Sequence, residues 1–296
     1  MLLIGVLVAV AAGAANALGS VLQRSASRHH EPGGGRRRAV LDLLRRPAWT
    51  AGIAGHVVGF VLQAVALTLA SIAVVQPTLI TELPFTLVLS AVLLHTPMGR
   101  RAWGAIGAMA LGLALLLYCL VPAGGDPAAT SGVAWLVGTG AVLVVLTVLT
   151  VLGRGGRGRR RALWFGLAAG VTYGYNAALL AGLGPTYGHG LLAVLTTWQT
   201  YGVLVGGTVS FVFLQQALQA GDLLWAQPGI TLANPLVAWA WGFAVFGDRV
   251  PIDLWLVGGL AGAAGVAAGT VVLSRVESAA AEVEGGHEEA ASPTGA

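Results

Sequence analysis

Apolar segments about as long as a bilayer is thick recur along the whole of this chain. A helix needs about 20 apolar residues to cross the hydrocarbon. About nine segments of the 296 residues meet this length: 2–22, 48–70, 73–95, 102–121, 132–152, 162–182, 198–220, 223–246 and 251–273. Only 9% of the residues are charged, whereas a soluble domain usually carries about 25%. The sequence therefore predicts an all-α integral membrane protein and excludes a soluble fold.

The arginines predict the orientation of these spans. Of the 16 basic residues, all arginine, fifteen lie in the connections after spans 1, 3 and 5 or just after span 9. Arg249 alone lies on the opposite side. Because cytoplasmic loops carry an excess of Lys and Arg, we expect a multi-pass protein of the cytoplasmic membrane with its N-terminus outside and its C-terminus in the cytoplasm. Basic residues confined to loops in this way indicate topology, and we expect no nucleic-acid partner.

Three further segments lie outside the predicted spans. The stretch 36–47 alternates arginines with Val and Leu, which is typical of a short helix on a membrane surface. The stretch 188–197 is too short to span, and we expect a re-entrant or interfacial turn there. The tail 276–296 is rich in glutamate and lacks core-forming residues, so we expect it to be disordered in the cytoplasm.

Two regions of the chain repeat each other at a shift of 151 residues. The stretch 60–85 aligns with 211–236, so that Phe60 meets Phe211, Gln76-Pro77 meets Gln227-Pro228, and Pro84 meets Pro235. The repeated spans are five crossings apart, and an odd separation inverts the second copy. We therefore predict two inverted four-helix repeats, 1–121 and 162–275, joined by a connector helix and basic loop within 122–161. Inverted repeats with Pro-interrupted helices are common in secondary transporters, whose binding sites lie near the midplane.

These motifs resemble a known superfamily. The Gln-Pro-x6-Pro spans, "FVLQAVAL" at 60–67, "FLQQALQAG" at 213–221 and "FGDR" at 246–249 resemble the drug/metabolite transporter superfamily. More narrowly, they are similar to its EamA-like and NIPA-like members, among which are proteins described as magnesium transporters. The resemblance implies transport by alternating access. Larger members have ten spans in two sets of five, and this chain has the short segments 36–47 and 188–197 in place of one span in each half.

Glu82 is the residue that most needs a functional explanation. It is the one carboxylate well inside a predicted span, and no basic residue lies at a similar depth. A charge at the bilayer centre costs at least about 2.5–3.5 kcal/mol on insertion scales. We therefore expect Glu82 to bind a proton or a cation, or else to be a neutral acid bonded to a neighbouring helix. Thr78, Glu82 and Thr86 are spaced four apart, which predicts a polar stripe on one helix face.

Other polar groups within the spans are candidates for the wall of a substrate cavity, although each alone is equally well explained as a bond between helices. These candidates are Thr78, Thr86, Gln76, His56, Gln63, Asn16, Asn176, Tyr173, Gln215, Gln227 and Asn234. The predicted helix-breaking residues are Pro77, Pro84, Pro228 and Pro235. Asp222, Asp248 and Asp253 lie at helix ends, where we expect them to be solvated or to cap helices.

Three functions remain open from the sequence. The favoured one is secondary transport of a small metabolite or drug-like solute, coupled to protons through Glu82. The first alternative is a NIPA-type magnesium or divalent-cation transporter, in which Glu82 would be a metal ligand. The second is a membrane scaffold or a lipid-acting protein without transport. We expect no enzyme activity and no cofactor. The expected partners are the bilayer, a small-molecule or ion substrate and protons, and a homodimer is left open.

Overall fold

The structure is a computed structural model that describes residues 1–28, 46–93, 98–119, 125–220, 223–249 and 254–291. At 24, 27, 28, 223–228, 231, 254 and 274–291 it describes the backbone alone. The described part of the chain is almost entirely helical and contains no β-strand. The prediction of an all-α protein is confirmed.

Eleven α-helices lie in the described ranges. They are α1 Leu2–Arg28, α2 Pro47–Leu69, α3 Ile72–Leu79, α4 Glu82–Leu93, α5 Arg100–Cys119, α6 Gly132–Gly155, α7 Arg159–Leu183, α8 Leu191–Thr196, α9 Trp198–Ala220, α10 Leu223–Ala244 and α11 Leu254–Ala291. Short 3₁₀ helices at Pro127–Ala129 and Gly184–His189 lie in two of the connections.

Seven helices in the described residues are long and apolar enough to cross a membrane. They are Leu2–Gln23, Pro47–Leu69, Ile72–Leu93, Arg100–Cys119, Gly132–Gly155, Trp198–Ala220 and Trp255–Leu273, where Ile72–Leu93 combines α3 and α4. These correspond to predicted spans 1–5, 7 and 9. Predicted spans 6 and 8 coincide with α7 and α10, helices of 25 and 22 residues that are not among the seven.

Helix α7 is the central element of the bundle. It packs extensively against α6, α9 and α10, and most of its residues between Ala162 and Leu183 are buried. Many of these are glycine or alanine, and small residues let membrane helices approach closely. Two further extensive pairs are α1 with α2 and α5 with α11. In the α5–α11 pair, a Cβ added at Gly262 would lie 2.6 Å from the Gly112 carbonyl oxygen and the Leu116 amide nitrogen, so the two backbones approach closely there.

Four connections meet at one end of the bundle, which we call the Asp248 end: residues 69–72, 125–127, 184–185 and 246–248. The Asp126 amide donates to the Phe246 carbonyl at 3.0 Å and ties two of these connections together. The arginine-rich connection between α6 and α7 lies at the opposite end of those two helices. This grouping agrees with the sides that the arginine pattern predicts.

The last helix differs from the sequence prediction. Disorder is predicted from residue 276, whereas α11 continues as helix to Ala291. Its extension is rich in Ala and Glu, which have high helix propensity, so helix formation there does not require burial. Residues 36–45 of the predicted surface helix lie outside the described residues. The segment 188–197 contains the six-residue α8, whose Leu191, Leu192 and Leu195 are exposed.

Candidate functional site

The third predicted span is interrupted directly before Glu82. The Ile80 and Thr81 amides donate to carbonyls three residues earlier, at 3.2 and 3.1 Å, which is the tighter 3₁₀ pattern. Pro84 lies in the first turn of α4, where a backbone N–H would lack a helical partner in any case. Pro77 lies inside α3, so the prolines are compatible with the break without enforcing it. Pro228 and Pro235 have the same spacing within the unbroken Leu223–Ala244 helix, and the prediction that they break it is wrong.

The carbonyl that Pro77 leaves without a helical donor is that of Ala73. The indole Nε1 of Trp239, on α10, donates to it at 3.0 Å. A proline in a membrane helix is tolerated where neighbouring helices satisfy the freed backbone group, and this contact does so. It also joins α3 to α10 in the first turn of α3.

Glu82 is the first residue of α4. A helix N-terminus carries a partial positive charge that favours a carboxylate, so the break gives Glu82 an electrostatic environment that an unbroken helix would lack. Gly13 of α1 lies against this point: a Cβ there would be 3.0 Å from Thr81 Oγ1 and 3.2 Å from the Glu82 amide nitrogen.

A cavity of about 970 Å³ opens beside the break, and we call it the central cavity. Its polar lining residues are Asn16, His56, Gln63, Gln76, Glu82, Tyr173, Asn176, Thr208 and Asn234. Its apolar lining includes Phe60, Leu79, Ile80, Leu83, Leu180, Val203, Leu204 and Phe211. Concave sites that are mostly apolar with a few convergent polar groups are typical of small-molecule binding. Eight of the polar residues predicted for the site therefore line this one cavity.

Three amide atoms of the central cavity are buried and have no hydrogen-bond partner among the described residues. They are Gln76 Nε2, Asn176 Oδ1 and Asn234 Oδ1. Gln76 is only 3% exposed. Buried polar groups in native structures are overwhelmingly hydrogen-bonded. Three unmet amide atoms on residues that line one cavity therefore mark its wall as a place where rearranged side chains can bind a solute or water.

Thr78, Thr86 and Gln215 do not line this cavity. Thr78 is fully buried, and its hydroxyl donates to Val74 at 2.8 Å. The Thr86 hydroxyl likewise donates to the Glu82 carbonyl at 2.8 Å. The predicted polar stripe required one continuous helix. Because the helix is broken at Ile80–Thr81, residues four apart on the two sides of the break do not share one face. The side chains of Gln227 and Pro228 lie outside the described residues, while Pro235 lines the cavity.

The sequence analysis missed an aromatic pair in the cavity wall. Phe60 and Phe211 both line it, and these two residues are matched by the shift of 151 between the repeats. The alignment of 60–85 with 211–236 already paired these two residues, and it was the signal in the sequence that could have identified them. Thr208 was also missed, and no signal in the sequence distinguishes it from other threonines of the spans.

Two asparagines each lie against a glycine of a neighbouring helix. A Cβ at Gly59, on α2, would lie 2.0 Å from Asn16 Oδ1 of α1. A Cβ at Gly206, on α9, would lie 2.1 Å from Asn176 Oδ1 of α7. Each amide therefore sits in a gap that only glycine leaves open, directly at the cavity.

Glu82 is the only carboxylate among the described residues that line the central cavity, and His56 is the only histidine. No group of three or more His, Cys, Asp and Glu side chains gathers within the described ranges in a way that could hold a metal ion. The divalent-cation alternative would thus depend on Glu82, amide oxygens and water.

Asp248 is a correction to the sequence analysis. It was expected to be solvated or to cap a helix, but it is only 6% exposed. Its backbone amide donates to the Gly242 carbonyl at 2.8 Å, which folds the chain back onto the end of α10. Nothing in the local sequence "FGDRV" signals burial, because it results from contact with the distant Gly125.

Comparison with known proteins finds similarity to a protein that has no assigned function. The chain is 29% identical over 257 residues to an uncharacterized protein of Corynebacterium glutamicum, covering 86% of this chain and 88% of that protein. No family model matches the chain, and no solved structure matches it.

Proposed function

We propose that this protein is a secondary transporter that moves a small metabolite or drug-like solute across the cytoplasmic membrane by alternating access, coupled to protons through Glu82. The observation that carries the proposal is the central cavity. It lies among apolar helices long enough to span a membrane, at a break in one of them. Three buried amide atoms of its lining residues have no hydrogen-bond partner among the described residues. A scaffold would have no need of such a space.

We further propose the arrangement behind this activity: two inverted four-helix repeats, with α6 as the connector. In this arrangement α1 corresponds to α7, α2 to α9, the pair α3–α4 to α10, and α5 to α11. The shared position of Phe60 and Phe211 at the cavity supports it, because these residues are 151 apart in sequence. Membership of the drug/metabolite transporter superfamily is part of the same proposal.

The two halves differ where the coupling site is proposed. The first half has a broken span with Glu82 at its second helix start, whereas α10 runs without a break from Leu223 to Ala244. The residue equivalent to Glu82 is Ala233, and the neighbouring polar group is Asn234. One half thus supplies a titratable group and the other an amide that binds without titrating.

The test uses purified protein in liposomes that enclose a pH-sensitive dye, challenged with a panel of metabolites and cationic drugs and, separately, with Mg²⁺. We expect a solute-dependent proton flux that is lost in Glu82→Gln. Ser90→Ala, on the same helix α4, is the matched control: Ser90 is buried, does not line the cavity, and its hydroxyl has no partner among the described residues. It should retain the flux.

Other results would replace the proposal. Mg²⁺ flux without proton movement would support the divalent-cation alternative. Absence of flux for the whole panel, with a lowered thermal unfolding midpoint in Glu82→Gln, would make Glu82 a structural residue and favour a scaffold or lipid-acting protein.

A further inference from the structure

A second cavity, of about 430 Å³, lies at the Asp248 end of the bundle. Residues 67–72, the 125–127 connection, the start of the 184–189 turn, and Phe246 and Asp248 line it. It lies about one helical turn from the central cavity along two helices. On α3, Ile72 lines the end cavity and Gln76 the central one; on α7, Ala181 and Ala177 divide in the same way. The end cavity therefore lies where a path from the central cavity to that side of the membrane would run.

Asp248 is the buried polar group of this second cavity. Both of its carboxylate oxygens are buried, and the one nearby donor among the described residues, the Gly125 backbone N–H, lies outside good hydrogen-bonding geometry. The hydroxyl of Ser71, which also lines the cavity, is buried and unpartnered as well. A buried carboxylate without a partner is strongly disfavoured in its charged form. The closed arrangement of this end therefore favours a neutral Asp248.

The carboxylate is held between two glycines from different connections. A Cβ at Gly125 would lie 2.0 Å from Asp248 Oδ1, and a Cβ at Gly242 would lie 2.6 Å from Oδ2. Only glycine at both positions lets the 125–127 connection close over the acid. Because the Asp126 amide bonds to the Phe246 carbonyl beside it, movement of the Asp248 turn also moves this connection.

We propose that Asp248 is a second proton-binding site, and that its protonation keeps the Asp248 end of the pathway closed. The role of this site in a pathway rests on the proposed transport function, whereas the experiment below measures opening of the end cavity without measuring transport. Loss of the proton would leave a charge buried between Gly125 and Gly242. Separating the two connections would let water reach that charge, and the end cavity would open.

The electrostatics agree with this geometry. Burial raises the pKa of Asp248 to about 6, and the nearby Gly125 backbone N–H opposes the rise. Asp126 is the other titratable side chain that lines the end cavity within the described residues. Arg249 is adjacent in sequence and exposed, and Tyr187 and His189 lie on the 184–189 turn without lining the cavity. If opening returns the acid to its ordinary pKa near 4, ionisation favours opening about a hundredfold, since each pKa unit is a factor of ten.

The test follows access to the end cavity directly. Ser71→Cys is made in a Cys119→Ala background, so that position 71 carries the one thiol, and the protein is placed in lipid nanodiscs. The labelling rate with a polar maleimide is measured from pH 5 to pH 8. Each rate is divided by that of Ala128→Cys in the same background, because Ala128 is exposed at the same end and corrects for the pH dependence of thiol chemistry.

We expect the normalised rate at position 71 to rise by up to about tenfold between pH 5 and pH 8, with half of the full effect reached near pH 6. In Asp248→Asn, which is nearly isosteric and cannot ionise, the rate should stay low at every pH. Gly125→Ala should displace the carboxylate toward water and lower the midpoint. A flat rate in the parent protein, or the same rise in Asp248→Asn, would overturn the proposal. Glu82→Gln should keep the rise, so failure of coupling at Glu82 and failure of this proposal are distinguishable.

Discussion

At the scale of single residues, the most informative groups are polar side chains that are buried without partners. They lower the stability of the protein as it stands, because each loses its contact with water and regains nothing from the described residues around it. Such groups are expected where a bound ligand forms the missing hydrogen bonds or a bound proton removes the charge. Gln76 at the central cavity and Asp248 at the end cavity are the two clearest cases, and each leads to a prediction about stability.

Removing the Asp248 carboxyl should stabilise the protein at neutral pH. Because the folded-state pKa is raised to about 6, the folded protein binds more protons than the unfolded chain between about pH 4 and pH 6. Stability is therefore lost as pH rises through that window, by up to about 3 kcal/mol at 1.36 kcal/mol per pKa unit. We expect Asp248→Asn to be more stable than the parent at pH 7.5 and nearly equal to it at pH 4, as measured by chemical unfolding in detergent. A constant difference across this range would contradict the assignment.

Gln76→Leu should stabilise the protein and impair transport. The substitution removes a buried amide whose Nε2 has no partner, and we expect a gain of about 1–2 kcal/mol in the free energy of unfolding. Gln199→Leu is the matched control, because Gln199 is 9% exposed, carries an unpartnered Oε1, and lines neither cavity described above. Both variants should unfold at higher denaturant, and only Gln76→Leu should lose solute-dependent flux. Equal flux in the two variants would separate Gln76 from the binding site.

At the scale of elements, the break between α3 and α4 organises the site. Trp239 of α10 stabilises α3, the helix before the break, by donating to the Ala73 carbonyl that Pro77 leaves free. We expect Trp239→Phe to cost about 1–3 kcal/mol, since it leaves a buried carbonyl unpaired as well as removing a hydrogen bond. Pro77→Ala restores a helical N–H that can reach the same carbonyl.

A double-mutant cycle of Pro77 and Trp239 tests this account. In the Pro77→Ala background the cost of Trp239→Phe should fall below 1 kcal/mol, because the Ala73 carbonyl then has a second donor. Unfolding free energies of the four proteins measure the coupling. An equal cost in both backgrounds would mean that Trp239 contributes through packing of its ring and not through its N–H.

Much of the helical framework was predictable, because membrane spans are recorded in sequence as length and hydropathy. The seven apolar spanning helices and the interrupted third span agree with the predicted segments. Eight of the candidate polar residues do line one cavity, since a polar side chain within a span tends to face the bundle interior.

The failures share a physical cause. The stripe through Thr78 and Thr86 required one uniform helix, and the register was lost at a two-residue break whose position depends on neighbours such as Gly13. Asp248 is buried by a loop more than 100 residues away in sequence, a contact that local pattern does not encode. The tail beyond 276 has high intrinsic helix propensity, which the argument from low hydrophobicity did not consider.

At the scale of the whole molecule, the arrangement of its ends makes the proposed topology testable. Positions 71 and 128 belong to the Asp248 end, and position 157 lies in the arginine-rich connection at the opposite end. Five of the residues from 154 to 161 are arginine, which favours the cytoplasmic side. We therefore expect alkaline phosphatase fused after residue 128 to be active in a bacterial host and the same fusion after residue 157 to be inactive.

The C-terminus supplies the decisive arm of this experiment. Span 9 leads to Arg275 and an acidic extension, so with nine crossings the C-terminus shares the side of residue 157, and green fluorescent protein fused there should fluoresce. Fluorescence depends on the count because losing either α7 or α10 as a span would reverse every later connection. An active phosphatase at 157, or a dark C-terminal fusion that is expressed and inserted, would contradict both the crossing number and the inverted repeat. Matching results would exclude the loss of α7 or α10 alone, while loss of both would leave the parity unchanged. A phosphatase fusion after residue 188 separates that case, because it is active only if α7 crosses. An active fusion there as well would make the halves antiparallel, since five crossings then separate α1 from α7.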